Sequence, residues 1–339
     1  MSETFNVLVT LTLEEKHIEK LNSVSPKLNL IVQPANRVDE ISKENWEMAQ
    51  VLYTNRVIPL PEQAPQLNWI QFHWAGINHA RNAAILSRKN LVATTLSGAA
   101  CSQVAEYILM MLLAMGHRFP EMRAAQRRSE WPQDRWVRFQ PQELRSSTVG
   151  IIGYGSIGRQ TARLLRPFGA NVLAAKHNAM KTADEGYTLE GMGDLQGEFP
   201  LRIYPPQALK TMVKECDFVV VTAPLTDQTK GLVNEEVLNA CKPSAYLVHL
   251  SRAGVVDQDA LVNALKNGKL AGAAVDVFMD EPLAPDSPLW KTPNLIVTPH
   301  ISGNSPMYDE RAVDLFAENL RRYLIGLPLL NQFDPKLGY

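Results

Sequence analysis

Short apolar runs and segments of helical period take turns along the first hundred or so residues of this chain. Residues 6–10 and 51–54 read as strands, and 13–21 between them has helix-like spacing. Strand and helix in alternation predict an α/β domain built on a parallel sheet. A long helical pattern over 102–117 follows, then a polar, Arg-rich and Trp-containing stretch, 123–140, which reads as exposed connection. A second α/β run begins at 147–152, with later strands expected at 218–222, 245–250, 272–277 and 295–298. Each is short, apolar and rich in β-formers, as strands covered on both faces should be. Residues 178–204 carry scattered glycines and no clear period, so they read as a long loop, and such loops are often functional. A last helical pattern over 306–324 places Val313, Phe316, Leu320 and Tyr323 at helical spacing and is expected to return to the first domain.

With 339 residues, 45% of them hydrophobic, the chain exceeds what one core usually holds, so two domains are expected. A net charge of -1 offers no electrostatic ground for nucleic acid or an anionic membrane as partner. The longest apolar run, 107–115, falls well short of the ~20 residues that cross a bilayer and reads as a buried helix. The start, Met-Ser-Glu-Thr-Phe, lacks the basic flank and apolar stretch of a signal peptide. Cys101, Cys216 and Cys241 are odd in number and far apart, which suggests neither a disulfide framework nor a zinc site and fits a reducing cytoplasm.

The strand at 147–152 runs into Gly153-Tyr-Gly155-Ser156-Ile157-Gly158 and then into a helical pattern. In that context G-x-G-x-x-G has a mechanical reading. Gly153 permits the tight turn, Gly155 lets backbone approach a pyrophosphate, and Gly158 lets helix pack on strand. The phosphates would meet unpaired N–H groups and the positive end of the helix dipole. The competing reading is a purely structural turn. In an NAD enzyme the second strand should end in Asp or Glu, which would hold the ribose hydroxyls. Here it ends Lys176-His177-Asn178. Lys176 would attract a 2′-phosphate, so the pattern favours NADP(H) over NAD(H), unless Lys176 is only a solvated strand end.

Beyond the glycine loop, several ordered stretches resemble the D-isomer-specific 2-hydroxyacid dehydrogenases. They are Val104-Ala-Glu106, Pro224-Leu-Thr-Asp-Gln-Thr229, His249-Leu-Ser-Arg252-Ala-Gly-Val-Val-Asp257, Asp276-Val-Phe-Met-Asp-Glu281-Pro-Leu and Thr298-Pro-His300-Ile-Ser-Gly303. The resemblance, in the glyoxylate/hydroxypyruvate reductase or phosphoglycerate dehydrogenase-like branch, covers most of the chain. It implies two Rossmann-like α/β domains: a cofactor domain, 102–300, inserted into a flavodoxin-like substrate domain, 1–101 and 301–339, with the active site in the cleft. It implies reduction of a small 2-keto acid to the D-2-hydroxy acid by NAD(P)H.

The chemistry suits the residues. A 2-keto acid needs a clamp for its carboxylate, polarisation of its ketone and a proton for the forming alkoxide. Arg252, a permanent planar cation, suits the first two. His300 suits the third, since imidazole exchanges protons near neutral pH. Glu281 would orient His300 and favour its acid form. The resemblance further implies that backbone N–H groups of Trp74, Ala75, Gly76 and Ile77 hold the substrate carboxylate, that Ser156 and Ile157 contact phosphate, and that Ala223, Leu250, Ser251 and Asp276 line the ribose and nicotinamide. His73, Trp74 and Trp131 read either as pocket walls or as ordinary packing. Two departures stand out: Asn78 where the family often has Asp, and Ala253 where it usually has Gly. The family also implies a homodimer formed through the helix from Ser102.

Other readings are a formate dehydrogenase-like enzyme, which would pair Gln with the histidine, and a catalytically silent NAD(H)-sensing co-regulator. Glu281 disfavours the first, and the intact Arg252, Glu281 and His300 disfavour the second. A short phosphoglycerate dehydrogenase-like form stays open.

Overall fold

A computed structural model of the protein describes residues 4–338. The chain forms two compact units, one from Met1–Ala100 and Ser305–Tyr339, the other from Cys101–Asn304. The second is thus threaded into the first along the sequence.

In the first unit, β1 (Phe5–Val9), β2 (Leu28–Val32), β3 (Val51–Thr54), β4 (Trp69–Phe72) and β5 (Val92–Thr94) form one sheet in the order β2-β1-β3-β4-β5. Every pairing is parallel. This is the flavodoxin-like order. Period-two alternation sorts the strand residues into two cores. Leu8, Leu52, Ile70 and Phe72 face one side. Val7, Val9, Val51, Tyr53 and Trp69 face the other. Helix α1 (Glu15–Asn22) and the short α2 (Lys43–Met48) lie between early strands.

The second unit begins with α3 (Cys101–Gly116), α4 (Phe119–Arg127) and α5 (Arg135–Arg138). The stretch expected as plain connection is exposed but carries helix, because Pro120 at the start of α4 and charged residues in its first and last turns support it. Next come β6 (Thr148–Ile152), α6 (Ser156–Leu165), β7 (Asn171–Ala175), β8 (Arg202–Tyr204), α7 (Leu209–Val213), β9 (Phe218–Val221), α8 (Glu235–Ala240), β10 (Tyr246–His249), α9 (Gln258–Lys266), β11 (Gly272–Val275) and β12 (Leu295–Val297). They build a parallel sheet in the order β12-β11-β10-β9-β6-β7-β8. This is the doubly wound Rossmann order with one extra strand. It reverses between β6 and β9, the point at which such sheets take ligands. The 178–204 loop ends sooner than its sequence suggests. Arg202–Tyr204 pairs with Leu173–Ala175 as the edge strand β8. Three residues flanked by loop are too few to show a period.

Helix α10 (Tyr308–Leu324) returns to the first unit. Val313, Phe316, Ala317 and Leu320 recur at i, i+3, i+4 and i+7 and cover the Val7, Val9, Val51, Tyr53 and Trp69 face. Phe316 packs 4.2 Å from Tyr53 and 5.4 Å from Trp69, centroid to centroid. Among the described residues no helix is long and apolar enough to cross a membrane.

Candidate active site

The sheet of the second unit delivers its functional side chains from loops at strand ends. β6 ends at Ile152, and Gly153 turns the chain with φ of +104°. A Cβ there would run into the backbone of Ala223, so only glycine fits. Thr222 ties the turn down by donating to the Gly153 carbonyl at 2.8 Å. Gly158 is needed for contact of a different kind, since its Cβ would sit 2.5 Å from the Gly153 oxygen. Gly155 differs from both: a Cβ there would meet nothing within 4 Å. The protein itself leaves room at Gly155. That room, at the head of a ten-residue helix whose first amides have no intrahelical acceptor, fits an approaching pyrophosphate. Ser156 and Ile157 open that helix.

Arg252 follows β10 by three residues, and its Nη1 donates to the Ser251 carbonyl at 2.8 Å. Leu250 and Ser251 are buried beside it. His249 is buried at the strand end, where burial pushes its imidazole down to about 4, so it stays neutral near pH 7. Glu281 and His300 stand on the loops after β11 and β12, and the fold brings them together: His300 Nδ1 and Glu281 Oε2 lie 2.7 Å apart. The other carboxylate oxygen accepts from the Phe278 amide at 2.9 Å, which fixes the acid's orientation. With Nδ1 engaged, Nε2 is the ring nitrogen left to exchange a proton with a substrate.

His300 has φ of +50°. A non-glycine residue in that region costs about 1–3 kcal/mol. Asp276 holds the strained loop. It is fully buried and accepts from Thr298 Oγ1 at 2.6 Å, Ile301 N at 3.0 Å and Ser302 N at 2.9 Å. Two of these three bonds are to backbone amides of the loop itself, which pins its conformation directly. Asp276, expected to line the ribose and nicotinamide, has both carboxylate oxygens bonded to the loop that carries His300.

In the first unit, the Trp74-Ala75-Gly76-Ile77 loop follows β4. Ile77 is buried and Ala75 exposed. Arg56, which the sequence reading passed over, stacks its guanidinium 5.1 Å from the Trp74 ring centroid. His73 is held on both sides, by Tyr53 Oη at 2.7 Å and by Asp309 Oδ1 at 3.2 Å, while Tyr308 donates to its carbonyl at 2.8 Å. His73 is thus fixed by packing and bonding inside its own unit. Trp131 is 79% exposed.

Lys176 directly follows β7, and its ammonium is engaged: it donates to the carbonyls of Lys181 at 2.7 Å and Ala183 at 3.4 Å. Desolvation, and next the nearby Arg159 charge, push its pKa below the usual lysine range. An ammonium has three donors, so one remains. Among the described residues no group of three or more His, Cys, Asp or Glu could hold a metal ion.

Residues 109–302 match the family model described as D-isomer specific 2-hydroxyacid dehydrogenase, NAD binding domain. A glyoxylate reductase of Thermofilum pendens is 33% identical over 267 residues, covering 78% of this chain and 74% of its own length. A D-isomer specific 2-hydroxyacid dehydrogenase of Xanthobacter autotrophicus, solved with NADPH and MES, superposes with a TM-score of 0.80 at 27% identity over 100% of both chains. A D-lactate dehydrogenase of Aquifex aeolicus, solved with NAD and lactic acid, shares the fold at a TM-score of 0.67 and 22% identity, over 95% of this chain and 96% of that one.

Proposed function

We propose, from the premise that this chain belongs to the D-isomer specific 2-hydroxyacid dehydrogenase family, that it reduces glyoxylate, hydroxypyruvate or a similarly small 2-keto acid to the D-2-hydroxy acid, with NADPH preferred over NADH. The observation that carries the reading is the 2.7 Å pairing of His300 with Glu281. A formate dehydrogenase-like enzyme would show Gln there, and a silent sensor would have no use for an oriented acid.

The reduced nicotinamide supplies the hydride. Arg252 and the amides of Trp74, Ala75, Gly76 and Ile77 hold the substrate carboxylate, and Arg252 draws charge onto the ketone oxygen. His300 hands its Nε2 proton to the forming alkoxide, and Glu281 holds the resulting imidazole in place. Gly153, Gly155, Ser156, Ile157 and Gly158 seat the pyrophosphate. Ala223, Leu250 and Ser251 wall the ribose and nicotinamide. Asp276 acts behind them, through the His300 loop.

The NADPH preference is supported by Lys176, by the absence of a carboxylate at 176–178, and by the NADPH bound to the Xanthobacter relative. A partly exposed pair with a 2′-phosphate contributes ~1 kcal/mol net, so a preference of about tenfold or somewhat less is expected. A panel of 2-keto acids run with NADPH and NADH tests substrate and cofactor together. Lys176→Asp should reverse the preference by repelling the phosphate and offering the ribose an acceptor. A wild-type preference for NADH, or equal use of both, would sink the cofactor part. No turnover of any small 2-keto acid would sink the whole.

The working form is a homodimer. Helix α3 buries most of its apolar residues within its own unit, yet Met110 is exposed. Phe119, Trp131, Trp136 and Val137 on the following segment are exposed as well, a concentration of apolar surface that fits a symmetric partner. Light scattering should give twice the 37.8 kDa chain mass at micromolar concentration, and a monomer mass would refute it. We place the enzyme in the cytoplasm. Its cysteines, Cys101, Cys216 and Cys241, are all free, as suits a reducing compartment.

A further inference from the structure

The segment between β7 and β8 is 26 residues of turns and bends, where a crossover between parallel strands is usually helical. It is nonetheless tightly fastened, and the fasteners come from the cofactor loop. Arg159, one residue past Gly158, is 1% exposed. Its Nη2 donates to the Thr182 carbonyl at 2.5 Å, its Nη1 to the Asp194 carbonyl, and its Nε lies 3.4 Å from Asp184 Oδ2. Its guanidinium sits 4.9 Å from the ring centroid of Tyr154, the residue between Gly153 and Gly155. Tyr154 Oη in turn donates to Asp194 Oδ2 at 2.6 Å, and Asp194 also accepts from the amides of Glu198 and Phe199.

The carbonyls of three consecutive residues are thereby gathered by two cations. Thr182 serves Arg159, while Lys181 and Ala183 serve Lys176. A buried arginine is costly unless it is paired. Nη1 and Nη2 of Arg159 are met by carbonyls, and Nε, which makes no hydrogen bond, has only the ionic contact with Asp184, so the turn is held against the cofactor loop chiefly through the two Nη groups. A lysine side chain carries about 2 kcal/mol of rotamer entropy, and a cation already held near its working position loses less of it on binding.

We propose that the 181–184 turn is a specificity-determining element for the cofactor: it holds the Lys176 ammonium at the end of β7 with one N–H directed to a 2′-phosphate. This rests on the NADPH reading above. On this view discrimination resides in the turn and its Arg159 anchor as much as in Lys176. A turn that merely competed for Lys176 would have the opposite effect when loosened.

Gly197 offers a way to move the turn without touching the glycine loop. Its φ is +72°, and an added Cβ would lie 2.6 Å from the Thr182 oxygen. In Gly197→Ala the ratio of kcat/KM for NADPH over NADH should fall from about tenfold to about twofold. The loss should lie in the KM for NADPH, with kcat and the NADH constants unchanged. A purely structural defect would degrade both cofactors alike. Asp184→Asn, which weakens the contact to Arg159 Nε, should lower the ratio in the same direction and serves if Gly197→Ala misfolds. An unchanged or increased ratio in the folded variants, against a wild type that prefers NADPH, overturns the role of the turn alone. A wild type without that preference overturns the cofactor reading and the inference with it.

Discussion

Replacing His300 with alanine should lower kcat by about 10²–10⁴-fold while changing the KM for the keto acid only modestly, the signature of a lost general acid. The imidazole is presented by a loop in a strained conformation and oriented through Nδ1 by Glu281. Its contribution arises as the alkoxide forms, not when substrate binds. Arg252→Ala should behave differently. It removes both a carboxylate contact and ketone polarisation, so KM should rise as kcat falls, and kcat/KM should lose most of its value. Glu281→Gln should keep substrate affinity and shift the pH–rate profile, because the amide still fills the space beside His300 but no longer supplies charge. Steady-state kinetics across pH on the three variants decides the matter. Near-normal turnover in His300→Ala or Arg252→Ala would remove the mechanism. An unaltered pH profile in Glu281→Gln would show the acid uncoupled from the histidine.

The second large effect separates glycines that the fold requires from one that the ligand requires. Gly153→Ala forces a Cβ into the Ala223 backbone at φ of +104° and should destabilise the protein by about 2–6 kcal/mol. Gly155→Ala meets open space and should leave unfolding within about 0.5 kcal/mol of wild type. Yet the added methyl sits where the pyrophosphate approaches, so cofactor affinity should drop about tenfold or more. Thermal melting and NADPH fluorescence titration on both variants test this. Equal destabilisation by the two substitutions, or undisturbed cofactor binding in Gly155→Ala, would show that the loop has been misread.

The sequence was most legible where chemistry and backbone geometry coincide. The glycine loop, Arg252, Glu281 and His300 combine unusual residue types with strand ends, and short apolar strands announced the second sheet. Strands carrying buried polar groups were harder. β4 includes Gln71, fully buried because Thr94 of β5 donates to it at 2.8 Å and Asn319 of α10 at 3.2 Å. Both partners are remote in sequence. Arg159 looks like any charged residue on a helix, and only the tertiary structure shows it buried with carbonyls from a segment lacking periodicity. Asp276 belongs to a recognisable motif, but its three bonds reach 22 to 26 residues downstream. Sequence alone marks Asp276 as a cofactor-lining candidate but does not show these bonds.

The return of α10 to the first unit bears on how the protein is made. While the chain emerges from the ribosome, β1 to β5 are complete some 200 residues before the helix that covers Val7, Val9, Tyr53 and Trp69 is synthesised. The second unit is contiguous and can close around its own core in that interval. The first must wait, with the part of that sheet face not covered by α1 open to water and to neighbouring chains, the kind of exposure that draws aggregation during folding. Nascent-chain maturation of this protein is thus set to run from the middle outward, with the part made first finishing last.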